Sequence, residues 1–224
     1  MTLGAGISTS ASAIARMLEL LAGPEAVAEG AADLVLEELL SRDVPKAVTP
    51  GGASGLLGDY PRLESVFFEA FRMMPAAAGG FRKAARDLDF DGHLVPAGSK
   101  MIWGPVPAMR SSQLYPEPER FCPFRFLHGD GDGHGREKSD HDSVAGPAPA
   151  QPKPEAFGFG RHLCPGRELI KLEMILFFRR FLGEFCYTLV DGQDLSPAAL
   201  KYTNSPKSGL QLRLALKKGR GVAA

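Results

Sequence analysis

The chain has 224 residues, 44% of them hydrophobic and 23% charged, enough for one sizeable core. Lys+Arg and Asp+Glu both number 26, so the formal net charge is zero and nothing points to nucleic acid or another polyanion. The three cysteines, Cys122, Cys164 and Cys186, are odd in number and lack metal-type spacing; no apolar run reaches membrane-spanning length. A reducing compartment is the simpler reading of that cysteine usage.

In chain order, Ile14, Met17, Leu18 and Leu21 repeat at helical spacing and predict a helix over 1–22, behind a run of small residues from Ala5 to Ala11. Gly23-Pro24 closes it and opens a second helix through "PEAVAEGAADLVLEELLSR". "DVPKAVTPGGASGLLGD" reads as loop, and "PRLESVFFEAFRMMP" as a third helix stopped by Pro75. "LDFDGHLVPAGSKMIW" predicts two short strands and then a third, with turns at Asp91-Gly92 and Ala97-Gly98. "PVPAMRSSQLYPEPERFCPFRFL" is proline-punctuated and irregular. The polar, low-complexity stretch at about 128–153 is expected to be a disordered insertion. A long helix over about 165–185 follows, then alternating short strands with a turn at Ser205–Ser208. The fold class expected is α+β, mainly α, as one domain over 1–224 with no internal repeats. His93 and His128 read as loop and surface residues.

Chemistry concentrates in "AFGFGRHLCPGRELIKLEMILFF". Cys164 stands where a glycine-rich loop turns into an apolar helix. Such a junction offers free backbone N–H groups and a positive helix end, which favours a thiolate. A lone cysteine is more often a small buried hydrophobe. Here Gly158, Gly160 and Gly166 leave room beside the sulfur for something large and flat, Phe157 supplies an aromatic wall, and Arg161 or His162 can meet an acidic edge. A haem satisfies all of these, with iron on the thiolate and propionates on the cations. Zinc lacks further ligands, and a cysteine nucleophile lacks a good base.

Phe157-x-x-Gly160-x-His162-x-Cys164-x-Gly166 resembles the haem-binding loop of the cytochrome P-450 superfamily, with His162 where an arginine is usual. A neutral imidazole still donates to a propionate, more weakly than a guanidinium. Glu69-Ala70-Phe71-Arg72 is similar to the family's Glu-x-x-Arg helix pair. An acid–base pair at this spacing is usually a solvated helix face, but Val66, Phe67, Phe68 and Phe71 around it suggest burial. The resemblance implies a third partner, an arginine in a Pro-x-Arg-Phe segment. Two segments compete, and their order in the chain favours Arg125 over Arg120. Ala5-Gly6-Ile7-Ser8-Thr9-Ser10 resembles the motif of the family's distal helix. Its Thr9 would hydrogen-bond dioxygen and help deliver protons, and Ser8 stands where an acid is usual. By itself the run would read as a helix cap. Arg82 corresponds to a strand arginine that meets a haem propionate in many members. "GGFRKAARDLDFDGHLVPAGSKMIW" is most similar to the branch that oxidises sterols, triterpenoids and retinoids.

The resemblance covers nearly the whole chain and corresponds to the C-terminal half of the family's fold. It implies a haem b cofactor ligated by Cys164. The activity implied is monooxygenation of a lipophilic substrate, an isoprenoid or sterol, with O2 and electrons from an NADPH-dependent reductase or other donor. The segments after Pro75 and around Thr203–Ser208 would line the substrate pocket. Full-length relatives typically sit on the cytosolic face of the endoplasmic reticulum membrane. Alternatives that remain are a haem-thiolate isomerase or peroxygenase-like enzyme, or a non-catalytic haem-binding fragment.

Overall fold

In a computed structural model, residues 2–44, 56–77, 79–127, 151–158, 160–197 and 205–217 are described. Most of the loop expected after the second helix, most of the polar insertion with His128, and Thr203 of the pocket segment lie outside them. The helices are α1 (Thr2–Leu21), α2 (Pro24–Ala28), α3 (Ala31–Leu40), α4 (Pro61–Met73), the short α5 (Val106–Met109) and α6 (Arg167–Glu184). The strands are β1 (Gly80–Lys83), β2 (Leu88–Phe90), β3 (His93–Val95), β4 (Lys100–Trp103), β5 (Phe185–Leu189) and β6 (Leu212–Leu216). They form three antiparallel pairs, β1–β4, β2–β3 and β5–β6. Mixed helices and small antiparallel sheets agree with the α+β expectation.

The core lies where α1, α3, α4 and α6 meet. Met17, Val35, Leu39, Leu63, Val66, Met174, Ile175 and Phe178 are all fully buried there. Burying one such side chain contributes roughly 1.5–3 kcal/mol, so this cluster dominates stability. Ile7, nearer the start of α1, is 72% exposed.

Two helix ends are capped across the fold rather than locally. α4 begins with Pro61, whose missing N–H costs nothing at a first helical position. The next N–H groups, of Arg62 and Leu63, both donate to the buried carboxylate of Glu38 on α3, at 3.0 and 3.1 Å. At the C-terminal end of α3, Arg179 of α6 donates to the carbonyls of Leu39 (2.5 Å) and Arg42 (2.7 Å). These bonds satisfy groups that a helix end leaves without intrahelical partners. They also lock α3, α4 and α6 in one arrangement.

Two elements depart from the sequence expectation. The second helix is split, because Gly30 adopts a left-handed conformation (φ 61°) between α2 and α3. The segment expected to be irregular contains α5, whose prolines, Pro105 and Pro107, occupy the cap and first turn, where no N–H is needed. The last residues of the stretch expected as an insertion are described. Gln151, Pro152 and Lys153 belong to the folded chain, held by Arg125, Tyr115 and Glu64 respectively.

Candidate functional site

The site is built on α4. Glu69 and Arg72 are fully buried, one helical turn apart, on the face that α4 turns away from α1. Two such charges inside a core require full hydrogen bonding, and they have it. Arg72 Nε donates to Glu69 Oε2 at 2.7 Å and Nη2 to Oε1 at 2.9 Å, a two-pronged pair. Its Nη1 donates to the carbonyls of Met109 (2.9 Å) and Pro118 (2.7 Å). Arg125 Nε donates to both Glu69 oxygens at 3.0 Å, and the Cys122 backbone N–H donates to Oε1 at 3.0 Å. One carboxylate thus holds two guanidiniums and a main-chain N–H. Of the two arginines weighed from sequence, Arg125 enters this network with a side chain only 4% exposed. The Arg120 side chain is half exposed and pairs with Glu117. Only its carbonyl takes part, accepting from Arg72 and Arg125.

Arg125 carries the network outward. Its Nη1 donates to the Pro116 carbonyl (2.7 Å) and to Gln151 Oε1 (3.2 Å). Beside it, Tyr115 stacks on the Arg72 guanidinium and donates from its hydroxyl to the Pro152 carbonyl at 2.9 Å. Burial pushes the Tyr115 phenol up from its ordinary value, so it remains a donor at neutral pH. Lys153 pairs with Glu64 of α4 at 2.5 Å. Gln151, Pro152 and Lys153 are the residues from which the cysteine loop springs. The network therefore fixes the base of that loop to α4. Tyr115, Gln151 and the carbonyls of Met109, Pro116 and Pro118 were not singled out in the sequence, since a carbonyl acceptor carries no side-chain signature.

The loop itself closes tightly. Gly158 and Gly160 have φ of 69° and 60°, a region that favours glycine. The Cys164 N–H donates to the Phe157 carbonyl at 2.9 Å and the Leu163 N–H to the Gly160 carbonyl at 3.2 Å. The Cys164 N–H is thus engaged in closing the loop. Phe157 stacks on Phe67 of α4, with ring centroids 5.5 Å apart and planes at 20°. Lys171 lies over its ring. Cys164 remains half-buried, two residues before the Gly166 cap of α6. A Cβ on Gly166 would stand 4.0 Å from the Cys164 sulfur.

Other candidate residues stand apart. Arg161 and His162 are exposed on the one-turn helix Gly160–His162 just before the cysteine. Arg82 is exposed on β1 and donates to the Phe81 carbonyl; among the described residues no ion pair engages it. Ser8 and Thr9 lie on α1, Ser8 exposed and Thr9 half-buried, with Thr9 Oγ1 3.3 Å from the Gly6 carbonyl. α1 and the loop both lie beside Phe67 of α4. Ala13 and Met17 of α1 share a small cavity with Phe67, the residue that carries Phe157.

Among the described residues no three His, Cys, Asp or Glu side chains converge on a possible metal position. Cys164 is thus a solitary thiol on a glycine-framed loop. That donor set suits a prosthetic group that takes a single protein ligand and brings the rest of its ligands with it.

A solitary thiol of this kind, braced through a buried Glu–Arg–Arg network, describes the haem-thiolate class. The comparisons agree. The family described as Cytochrome P450 matches residues 1–211, and the chain belongs to the cytochrome P450 family, an enzyme family of haem-dependent monooxygenases. A putative cytochrome P450 120 of Synechocystis sp. is 31% identical over 160 residues, 71% of this chain and 32% of that protein. A beta-amyrin 6-beta-monooxygenase of Solanum lycopersicum is 36% identical over 54% of this chain and 22% of its own length. Among solved structures, retinoic acid-bound cyanobacterial CYP120A1 superposes with a TM-score of 0.70 at 28% identity, covering 96% of this chain and 44% of that one. The chain thus spans less than half the length of each of these proteins. No described helix is long and apolar enough to cross a membrane.

Proposed function

We propose that this chain is the haem-holding part of a haem-thiolate monooxygenase that inserts one oxygen atom from O2 into a lipophilic substrate, an isoprenoid or sterol. The observation that carries the reading is the bonding of the Glu69–Arg72–Arg125 network to the residues that open the Cys164 loop. That arrangement gives the thiol a fixed address. A ligand sulfur on a loose loop would lose much of its effectiveness, whereas a pre-positioned one needs no ordering when the group binds. Thiolate-ligated haem supplies the O–O cleaving chemistry.

The protein residues have separate tasks. Cys164 would hold the haem iron through its thiolate, and Phe157 with Gly158 and Gly166 would border the group. His162 and Arg82, both exposed in this structure, would donate to the propionates. His162 is the weaker donor, because a neutral imidazole offers one N–H where a guanidinium offers five. On α1, the Thr9 hydroxyl orients and passes protons. Ser8 relays them through water but cannot act as a proton reservoir at neutral pH. Electrons come from an NADPH-dependent reductase or another donor. The isoprenoid assignment is supported by similarity to proteins named for beta-amyrin oxidation and to a structure described as binding retinoic acid.

The test is turnover by haem-loaded protein with a reductase, NADPH and a panel of triterpenoids, sterols and retinoids. Oxygenated product formed in step with NADPH consumption supports the reading. Rearranged product without NADPH would instead make the protein an isomerase, and haem binding without turnover a non-catalytic member.

A further inference from the structure

The C-terminal part of the chain is fastened to α1 at three successive points. The Ser12 hydroxyl and the Ser205 hydroxyl lie 2.7 Å apart. One turn further along α1, Arg16 Nη2 donates to the Leu195 carbonyl at 3.3 Å. Near the end of the helix, the Tyr187 hydroxyl donates to the Leu18 carbonyl at 3.0 Å. Ser12 and Arg16 are buried, 4% and 5% exposed, while Ser205 and Leu195 across from them are half-buried. Arg16 is held rigid by its pair with Glu19 at 2.5 Å.

The two segments gripped by α1, residues 194–197 and 205–208, pair with each other and form a neck. Pro197 bridges to Pro206, the Lys207 N–H donates to the Ser196 carbonyl (3.0 Å), and both the N–H and the hydroxyl of Ser208 donate to the Asp194 carbonyl (3.2 and 3.0 Å). Arg16 holds the outgoing strand at Leu195, and Ser12 holds the returning strand at Ser205. The neck cannot shift along α1 without breaking one of these bonds.

Ser12 also reaches backwards. Its hydroxyl donates to the Ser8 carbonyl at 2.8 Å. A serine hydroxyl has one proton, so with that proton on Ser8 the Ser205 hydroxyl is the donor in the Ser12–Ser205 pair. A chain of hydrogen bonds thus runs from Ser205 through Ser12 to Ser8, in the turn that carries Thr9. Back-bonding of this kind adds a second acceptor demand on a helix carbonyl and tends to bend the helix there.

We infer that Ser12 is a positioning residue that couples the paired segments 194–197 and 205–208 to the Ser8–Thr9 turn of α1. The functional sense of this coupling rests on the proposed reading of α1 as the helix over the haem. Under that reading, a substrate that displaces the neck alters the geometry of the proton-delivering turn.

Hydrogen exchange read by mass spectrometry tests the coupling without haem. Ser205→Ala should speed exchange in the Ser8–Ser12 turn about fivefold, the effect expected for one net hydrogen bond. Ser12→Ala should do the same to the neck. The double variant should exceed neither single variant, and Ser205→Thr, which keeps the hydroxyl, should restore protection. If each variant loosens only its own segment, or if the two effects simply add, the coupling is wrong. In haem-loaded protein, Ser205→Ala should lower product formed per NADPH more than it lowers NADPH consumption. Coupled exchange without any turnover would overturn the monooxygenase reading and leave the coupling standing; turnover without coupled exchange would do the reverse.

Discussion

Removal of Arg125 is the most informative single perturbation of the brace. In the folded protein Glu69 is fully buried and accepts from Arg72, Arg125 and the Cys122 N–H. Truncating one partner of a buried ion pair typically costs about 3–5 kcal/mol, because the other charge is left uncompensated. In Arg125→Ala, Arg72 still neutralises Glu69, so the lower end applies, about 3 kcal/mol. For a chain of this size 1 kcal/mol moves Tm by about 2–4 °C, which gives a fall of roughly 6–12 °C. Arg125→Lys should recover little of it, since an ammonium cannot reach Glu69, Pro116 and Gln151 together in the guanidinium's planar geometry. Arg120→Ala should leave Tm unchanged, its side chain pairing only with exposed Glu117. The assay is thermal unfolding by circular dichroism, with haem retention measured on the same samples. A Tm within about 2 °C of wild type for Arg125→Ala, together with a large fall for Arg120→Ala, would refute the reasoning and shift the brace to the other proline-arginine segment.

Three further outcomes are expected. Glu69→Gln should be more damaging than Arg125→Ala, because it strands two buried guanidiniums rather than removing one; urea unfolding midpoints give the order. Burial holds the Glu38 carboxyl above its ordinary value despite the N–H groups of Arg62 and Leu63, and burial does the same to Glu19 against Arg16. The folded state therefore binds these protons more tightly than the unfolded chain. Their contribution to stability is complete below the ordinary glutamate value and declines as pH rises through the raised one. Glu38→Gln should flatten that part of the stability–pH profile, and an unchanged slope would contradict the assignment. On α1, Thr9→Ala should uncouple haem-loaded protein, with peroxide replacing product, while Ser8→Asp should improve product formed per NADPH, since a carboxylate accepts and returns a proton readily. Unchanged coupling in both would leave the small-residue run as a packing surface.

Some of this was legible in the sequence for identifiable reasons. α4 announces itself through Pro61 at its start, Pro75 beyond its end and an apolar stripe between them. The β2–β3 hairpin is marked by Asp91-Gly92, both of which adopt positive φ. The break between α2 and α3 was not legible, because Gly30 sits inside an unbroken apolar rhythm and a glycine within a helix pattern is often tolerated. In the site, Glu69, Arg72 and Arg125 could be read as charged residues in apolar or proline-rich surroundings. Their full satisfaction could not be read, because it depends on main-chain carbonyls at Met109 of α5 and at Pro116, Pro118 and Arg120, which only the folded path from α5 through "YPEPERF" brings together. The same holds for the Ser12–Ser205 contact, which joins residues 193 apart in the chain.

The central claim is that Cys164 supplies the thiolate to a haem. The most direct measurement is the absorption spectrum of the reduced, carbonyl-bound form of haem-loaded protein, compared between wild type, Cys164→Ala and Cys186→Ala. Cys186 is exposed on β5 and makes a suitable control. The account predicts the red-shifted Soret band of thiolate ligation in wild type and Cys186→Ala, and its loss in Cys164→Ala. Survival of that band without Cys164 would contradict the account.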